Sequence, residues 1–82
     1  MPKVDIEDIS NRVRRILSRM LKLKESVVTL DAHLRDDLGV DSVDILEIVT
    51  KLQEEFGIDI AEDAAREVNT VRDVINIVRR KT

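Results

Sequence analysis

Several residue types are scarce or absent in this chain of 82 residues, and each shortage excludes a class of protein. There is no cysteine, which excludes disulfides, a thiolate nucleophile and cysteine-based zinc sites. Phe56 is the single aromatic residue, beside two glycines and one proline. Because a β-sandwich needs more aromatic residues and more turns, helices packed through aliphatic side chains are favoured. The single His33 also argues against most metal sites and against Ser–His catalysis.

Long hydrophobic runs are absent as well. No stretch of about 18 apolar residues exists, so we expect no membrane span. The first residues, "MPKVDIED", lack the apolar segment of a signal peptide, and a cytoplasmic protein is therefore expected. The length predicts a single domain over residues 1–82, with one modest core and no deep enclosed active site.

Charge is distributed unevenly along the chain. Residues 31–67 hold three basic and twelve acidic residues, a net charge of −9, whereas residues 1–30 and 68–82 are each at +3. An acidic surface repels nucleic acid and attracts basic protein partners. A nucleic-acid binder using "RVRR" and "VRRK" is further disfavoured because aromatic residues for base stacking are lacking.

Hydrophobic spacing predicts an all-α fold, a small four-helix bundle of three main helices and one short helix. The first helix is expected at about residues 5–21, the short one at 62–67, and the last after Thr70 as N-cap with Asp73 three residues on. Residues 22–40 show no helical period and predict a long loop between helices one and two. Five apolar side chains are expected to fix that loop to the core: Val27, Val28, Leu30, Leu34 and Leu38.

The second helix has the clearest boundaries. Asp41 is the expected N-cap and Ser42 the first helical residue, with Asp44 completing a carboxylate form of the capping box. Gly57 is expected to end the helix. The residues predicted to face the core, with Val49 and Leu52 at the centre, are Ile45, Ile48, Val49, Leu52 and Phe56.

A second stripe lies nearly opposite the core face of this helix. Its members are Val43, Leu46 and Thr50, with the carboxylates Asp44, Glu47 and Glu54 close beside them. An apolar strip edged with acids on a solvent face is typical of a docking surface. The alternative is that Val43 and Leu46 pack beneath the loop 22–40. The acids at positions 36, 37, 41, 44 and 47 are expected to gather around Ser42 in either case.

Ser42 itself admits several interpretations. A catalytic serine needs a base and an oxyanion site, but "GVDSV" is not the G-x-S-x-G elbow and its carboxylates oppose an alkoxide. A calcium loop with Gly39 at its sixth position would start at Leu34 and end at Ile45, neither of which can be a ligand. Only a weak, diffuse association of divalent ions with Asp36, Asp37 and Asp41 stays open. Two interpretations remain from the residues alone: an ordinary helix-start serine, or an attachment site.

A family resemblance favours attachment. The segment "DDLGVDSVDILEIVTKLQEEFGIDI", residues 36–60, resembles the acyl carrier protein signature D-L-G-x-D-S-[LV] and its acidic helix. The similarity extends to "VTLDAHL" before it and "AEDAAREVNTVRDVINIV" after it, and so covers nearly the whole chain. In that family the serine carries 4′-phosphopantetheine through a phosphodiester that a separate transferase forms. The resemblance therefore implies that Ser42 is the attachment residue.

The resemblance also implies roles for other residues. Partner recognition is expected of Asp36, Asp37, Asp41, Val43, Asp44, Leu46 and Glu47. A core that can open to shelter an acyl chain is expected from Ile45, Val49, Leu52, Ile60, Ala65 and Val68. The implied partners are a phosphopantetheinyl transferase and acyl-loading or acyl-processing enzymes with basic docking surfaces, which would meet a monomer. The implied protein is a standalone carrier that is not itself an enzyme and holds no metal.

Four positions depart from the pattern common among carriers of fatty-acid synthesis. Thr50 and Arg35 stand where apolar residues are usual, Arg66 makes the short helix less acidic, and Ala61 replaces a frequent proline. These changes leave the carrier role intact but open the choice of pathway: fatty-acid synthesis, or a specialised lipid or polyketide pathway. The alternatives are an aminoacyl or peptidyl carrier and an unmodified helical module for protein interaction.

Overall fold

A computed structural model describes residues 6–82, with side chains from Asp8 onward, and contains four α-helices. They are α1 (Ile6–Leu21), α2 (Ser42–Phe56), α3 (Glu62–Arg66) and α4 (Val71–Lys81), with a 3₁₀ turn at Glu25–Val27. The predicted all-α fold with one short helix is confirmed. The predicted start of α1 at residue 5 and the side chain of Ile6 lie outside the described residues. Within the described range, none of the helices is long and apolar enough to cross a membrane.

Helix ends follow the capping signals in the sequence. Thr70 is the N-cap of α4: its hydroxyl accepts the Asp73 N–H, and the Asp73 carboxylate accepts the Thr70 N–H in return. Gly57 closes α2 in the left-handed conformation, at φ +63°, where a residue with a Cβ would be strained. Both were predicted, and both are confirmed.

The core lies where α1 packs against α4 and α2, and where α2 packs against α3. Its largest fully buried side chains are Val13, Leu17, Val28, Leu34, Leu52, Val71 and Val78. On α2 the buried residues are Ile45, Ile48 and Leu52, while Val49 and Phe56 are only half-buried. The core face is therefore turned toward Ile48, away from the predicted centre at Val49.

The loop between α1 and α2 contributes to the core differently from the prediction. Val28, Leu34 and Leu38 are buried as expected, but Val27 is 46% and Leu30 36% exposed, so their assignment as core residues was wrong. Val27 ends the 3₁₀ turn, which was not predicted, and its neighbour Val28 takes the buried position. The loop is a packed segment: Val27 and Leu30 in its first part are exposed, whereas its apolar residues from Ala32 to Val40 are buried.

Hydrogen bonds fasten this loop to two neighbouring parts of the structure. Arg14 on α1 donates to the carbonyl oxygens of Val28 at 2.6 Å and Glu25 at 2.9 Å. In the middle of the loop, the Leu34 N–H donates to the carbonyl of Asn69, just before α4, at 2.8 Å. An isolated antiparallel bridge joins residues 33 and 70 beside it. The loop is thereby anchored both to α1 and to the segment that precedes α4.

Candidate functional site: the start of helix α2 and the surfaces around it

Two carboxylates fix the first turn of α2 around Ser42. The Asp44 N–H donates to Asp41 Oδ1 at 2.9 Å, and the Asp41 N–H donates to Asp44 Oδ2 at 3.1 Å. This is the predicted capping box, and it satisfies two backbone donors that a helix start otherwise leaves without partners. Ser42, the first residue of α2, is therefore held in a defined backbone conformation.

The Ser42 side chain is exposed to solvent. Its hydroxyl makes no hydrogen bond within residues 8–82, so it is not used as a cap or as part of a polar network. It lies at a helix N-terminus, where free backbone N–H groups and the helix dipole favour an anion. An enzyme can reach this oxygen, and the surroundings tolerate a phosphate linked to it. A phosphopantetheine arm therefore fits this position.

The acids near Ser42 fall into two groups. Asp41 and Asp44 form the capping box, whereas Asp36 and Asp37 interact with His33 in the loop. The His33 N–H donates to Asp37 Oδ2 at 2.7 Å, and His33 Nδ1 lies 3.6 Å from Asp36 Oδ2. Nowhere in the described part of the chain do three or more His, Asp or Glu residues come together as a metal site would require.

The second stripe of α2 is exposed. Val43 is 63% and Leu46 53% exposed, so the alternative in which they pack beneath the loop is wrong. We call this exposed stripe and its acids the α2 surface: Val43, Leu46, Glu47, Thr50 and Glu54. Met20 and Lys51 complete the same shallow groove of about 380 Å³, and neither was predicted there. An apolar strip edged with carboxylates is therefore available to a partner.

An apolar cavity lies between α2, α3 and α4. Its lining includes all six residues that the resemblance assigned to an acyl-sheltering core, together with Leu34, Ile48, Val74 and Ile77. Its volume is about 10 Å³, about the room that one water molecule needs. An alkyl chain can enter this cavity only if the helices around it move apart.

A larger groove begins at Ser42, and we call it the Ser42 groove. Its volume is about 410 Å³, and its lining consists of Arg35, Ser42, Ile45, Leu46, Glu62, Ala65 and Arg66. Ile45 and Ala65 also line the apolar cavity, so the groove adjoins it. Neither Arg35 nor Arg66 was predicted as a site residue. The signal for them was present, since both are basic where the family pattern is usually apolar or acidic.

Comparisons with known proteins agree with this geometry. A family model described as a phosphopantetheine attachment site matches residues 11–78. The fold is also similar to the solved structure of a protein described as an acyl carrier protein, from Mycobacterium tuberculosis. That match has a TM-score of 0.82 and 30% sequence identity, and it covers 88% of this chain and 96% of the other.

Proposed function

The chain belongs to the phosphopantetheine attachment family, and from this we propose that Ser42 carries the arm and holds acyl groups on it as thioesters. The observation that carries the assignment to Ser42 is its exposed hydroxyl, unbonded within the described residues, at the fixed start of α2. The covalent cofactor of the family is 4′-phosphopantetheine. The arm supplies the thiol to which the acyl group is bound. Since the protein has no cysteine, no side-chain thiol competes for that group.

The chain's own residues present the hydroxyl and do not activate it. Carrier domains of this kind are generally not catalytic, and we propose that this protein is likewise not an enzyme. Nδ1 of the lone His33 accepts a hydrogen bond from the Asp36 N–H, and the backbone N–H of His33 donates to Asp37 Oδ2, so this residue is engaged within its own loop. Activation of the Ser42 hydroxyl is therefore assigned to a phosphopantetheinyl transferase. We propose that residues 1–82 form one carrier domain, which works as a monomer in the cytoplasm.

The proposed pathway is fatty-acid synthesis or a specialised lipid or polyketide pathway. Thr50 is exposed on the α2 surface, with its hydroxyl donating to the Leu46 carbonyl, and this polar residue and the two arginines of the Ser42 groove favour a dedicated set of partner enzymes. An aminoacyl or peptidyl carrier is the second candidate, because a polar cargo suits a groove with charged walls better than the closed apolar cavity.

Attachment at Ser42 is tested by intact mass. Incubation with coenzyme A and a promiscuous phosphopantetheinyl transferase should add the mass of one phosphopantetheinyl group. Ser42→Ala should abolish this gain, whereas Ser26→Ala, which changes an exposed serine of the 3₁₀ turn, should retain it. A wild-type protein that gains no mass would be an unmodified interaction module. A gain that survives Ser42→Ala would place the arm elsewhere.

We propose that the α2 surface, with Asp41 and Asp44 at its N-terminal end, docks the basic surfaces of partner enzymes. Leu46→Ala should weaken binding to the transferase about tenfold, since an interface that covers this leucine loses about 1.4 kcal/mol or more of apolar burial when it is truncated. Leu30→Ala, which changes an exposed leucine of the loop, is the matched control and should leave binding unchanged. Binding should also weaken with added salt, because exposed charges are screened over about 8 Å at physiological ionic strength. Equal effects of both leucine variants, or binding insensitive to salt, would contradict this assignment.

A further inference from the structure

The Ser42 groove is lined by two arginines and one glutamate, and so carries a net positive charge, although the surrounding part of the sequence is acidic. Arg35 comes from the loop before α2 and Arg66 from the end of α3, and both line the groove that begins at Ser42. Asp41 and Asp44, the acids closest to Ser42 in the sequence, are not among its lining residues. A negative group attached to Ser42 therefore meets two arginines and Glu62 on the groove side, and the carboxylates of Asp41 and Asp44 at the helix cap.

The two arginines have unused hydrogen-bonding capacity. Within the described residues, the Arg35 side chain makes no ion pair and no hydrogen bond. Arg66 donates through Nη2 to Glu62 Oε1 at 3.2 Å, and both of these side chains are largely exposed, at 72% and 60%. Such an exposed pair is weak and easily exchanged. A guanidinium has several N–H donors in a planar fork that matches a phosphate, so each arginine can hold an anion.

We propose that Arg35 and Arg66 bind the phosphodiester of the arm and direct the arm along the Ser42 groove toward the apolar cavity. This inference rests on the proposed attachment at Ser42. The phosphate is the anion that attachment itself places at the mouth of the groove, whereas a charged cargo would lie at the far end of the arm. Beyond the arginines, Ile45, Leu46 and Ala65 offer apolar contacts to the hydrocarbon part of the arm. Because Ile45 and Ala65 also line the cavity, the same path leads to it.

The test compares apo and holo protein, the latter made with coenzyme A and a transferase and confirmed by mass before any spectrum is recorded. Attachment should shift the NMR signals of the Arg35 and Arg66 Nε–H groups and of the α3 backbone amides. In an Arg35→Gln, Arg66→Gln double variant, attachment of the arm should no longer shift the α3 amide signals between the apo and holo forms. The ³¹P signal of its holo form should also differ from that of the wild-type holo protein. Holo Arg15→Gln, which changes an exposed arginine of α1, should match the wild type.

Several outcomes would overturn the inference. Shifts confined to residues 41–43 in holo protein would mean that the arm lies free in solvent. Shifts at Arg35 and Arg66 that arise only after loading of a carboxylated acyl group would assign the groove to the cargo. A double variant with wild-type α3 shifts would exclude the arginines. Failure of attachment itself appears earlier, as a missing mass gain, and is thus distinguished from failure of this inference.

Discussion

Enlarging the apolar cavity should make the stability of the protein depend on its cargo. Leu52 is 1% exposed and lines the cavity, so Leu52→Ala should destabilise the empty carrier by about 2–5 kcal/mol. Leu17→Ala is the matched control, since Leu17 is fully buried on α1 and does not line the cavity. Leu17→Ala is expected to lower the free energy of unfolding by a similar amount. Both losses are large against the roughly 4–12 kcal/mol expected for the whole domain at its length.

Loading should distinguish the two variants. Leu52→Ala leaves room for about three carbon atoms beside the cavity, and filling it with a hexanoyl chain should restore roughly 2 kcal/mol. No such recovery is expected for Leu17→Ala, because the space left by that truncation is not part of the cavity that the acyl chain is expected to fill. The measurement is urea unfolding of the holo and hexanoyl forms of both variants. Equal recovery in both variants, or recovery in neither, would refute the prediction that this cavity shelters the acyl chain.

A milder pair serves if the alanine variants are too unstable to handle. Ile48→Val and Ile75→Val each cost about 0.5–1.5 kcal/mol. Both isoleucines are 3% exposed, but only Ile48 lines the cavity. The hexanoyl chain should recover part of the lost free energy of unfolding in Ile48→Val and none of it in Ile75→Val.

Three further predictions concern the framework around the site. Arg14→Ala should lower the free energy of unfolding by about 1 kcal/mol and speed hydrogen exchange of the loop amides, because its two hydrogen bonds to carbonyl oxygens are lost. Arg15→Ala is the control, and equal exchange rates in the two variants would contradict this prediction. Gly57→Ala should lower the free energy of unfolding in urea by about 1 kcal/mol. Backbone strain alone would cause this loss, because no atom lies within 4 Å of the added Cβ. An unchanged urea midpoint would contradict this prediction. The hydrogen bond from the Asn69 N–H, with those from Thr70, lowers the pKa of Asp73 below its ordinary 3.8, although partial burial opposes the shift. The stabilisation of the fold by ionised Asp73 is therefore complete above pH 3.8 and is lost as the pH falls through the lowered pKa. The free energy of unfolding of the wild type should exceed that of Asp73→Asn by less below about pH 4 than at neutral pH. A difference between the two proteins that does not depend on pH would contradict this prediction.

Local signals predicted the helices well because each signal acts within a few residues of where it occurs. Asp41, Asp44 and Gly57 fix the ends of α2 through contacts with neighbouring backbone, and the structure contains them as expected. The loop was harder to predict, because burial there depends on distant partners. Neither the exposure of Val27 nor the hold of Arg14 on the Val28 carbonyl follows from hydrophobic spacing.

The candidate site shows the same division. Exposure of Ser42, Val43 and Leu46 agrees with what the motif and the helical period imply. The convergence of Arg35 and Arg66 on one groove could not be predicted, since 31 positions separate them and only the packing of α3 beside α2 brings them together. In the sequence they were visible only as two basic residues at unusual positions.

The reciprocal lock between Asp41 and Asp44 also has a geometric consequence for anything tethered to the protein. The first turn of α2 cannot fray without breaking both bonds, so an arm attached at Ser42, as proposed, would start from a well-defined point. Once a partner draws the proposed arm out of the Ser42 groove, the volume that its cargo can reach is part of a sphere around that point, bounded on one side by the protein. An enzyme that docks on α2 and fixes its orientation thereby fixes the position of this volume. The catalytic centre of that enzyme must then lie no farther from Ser42 than the length of the arm.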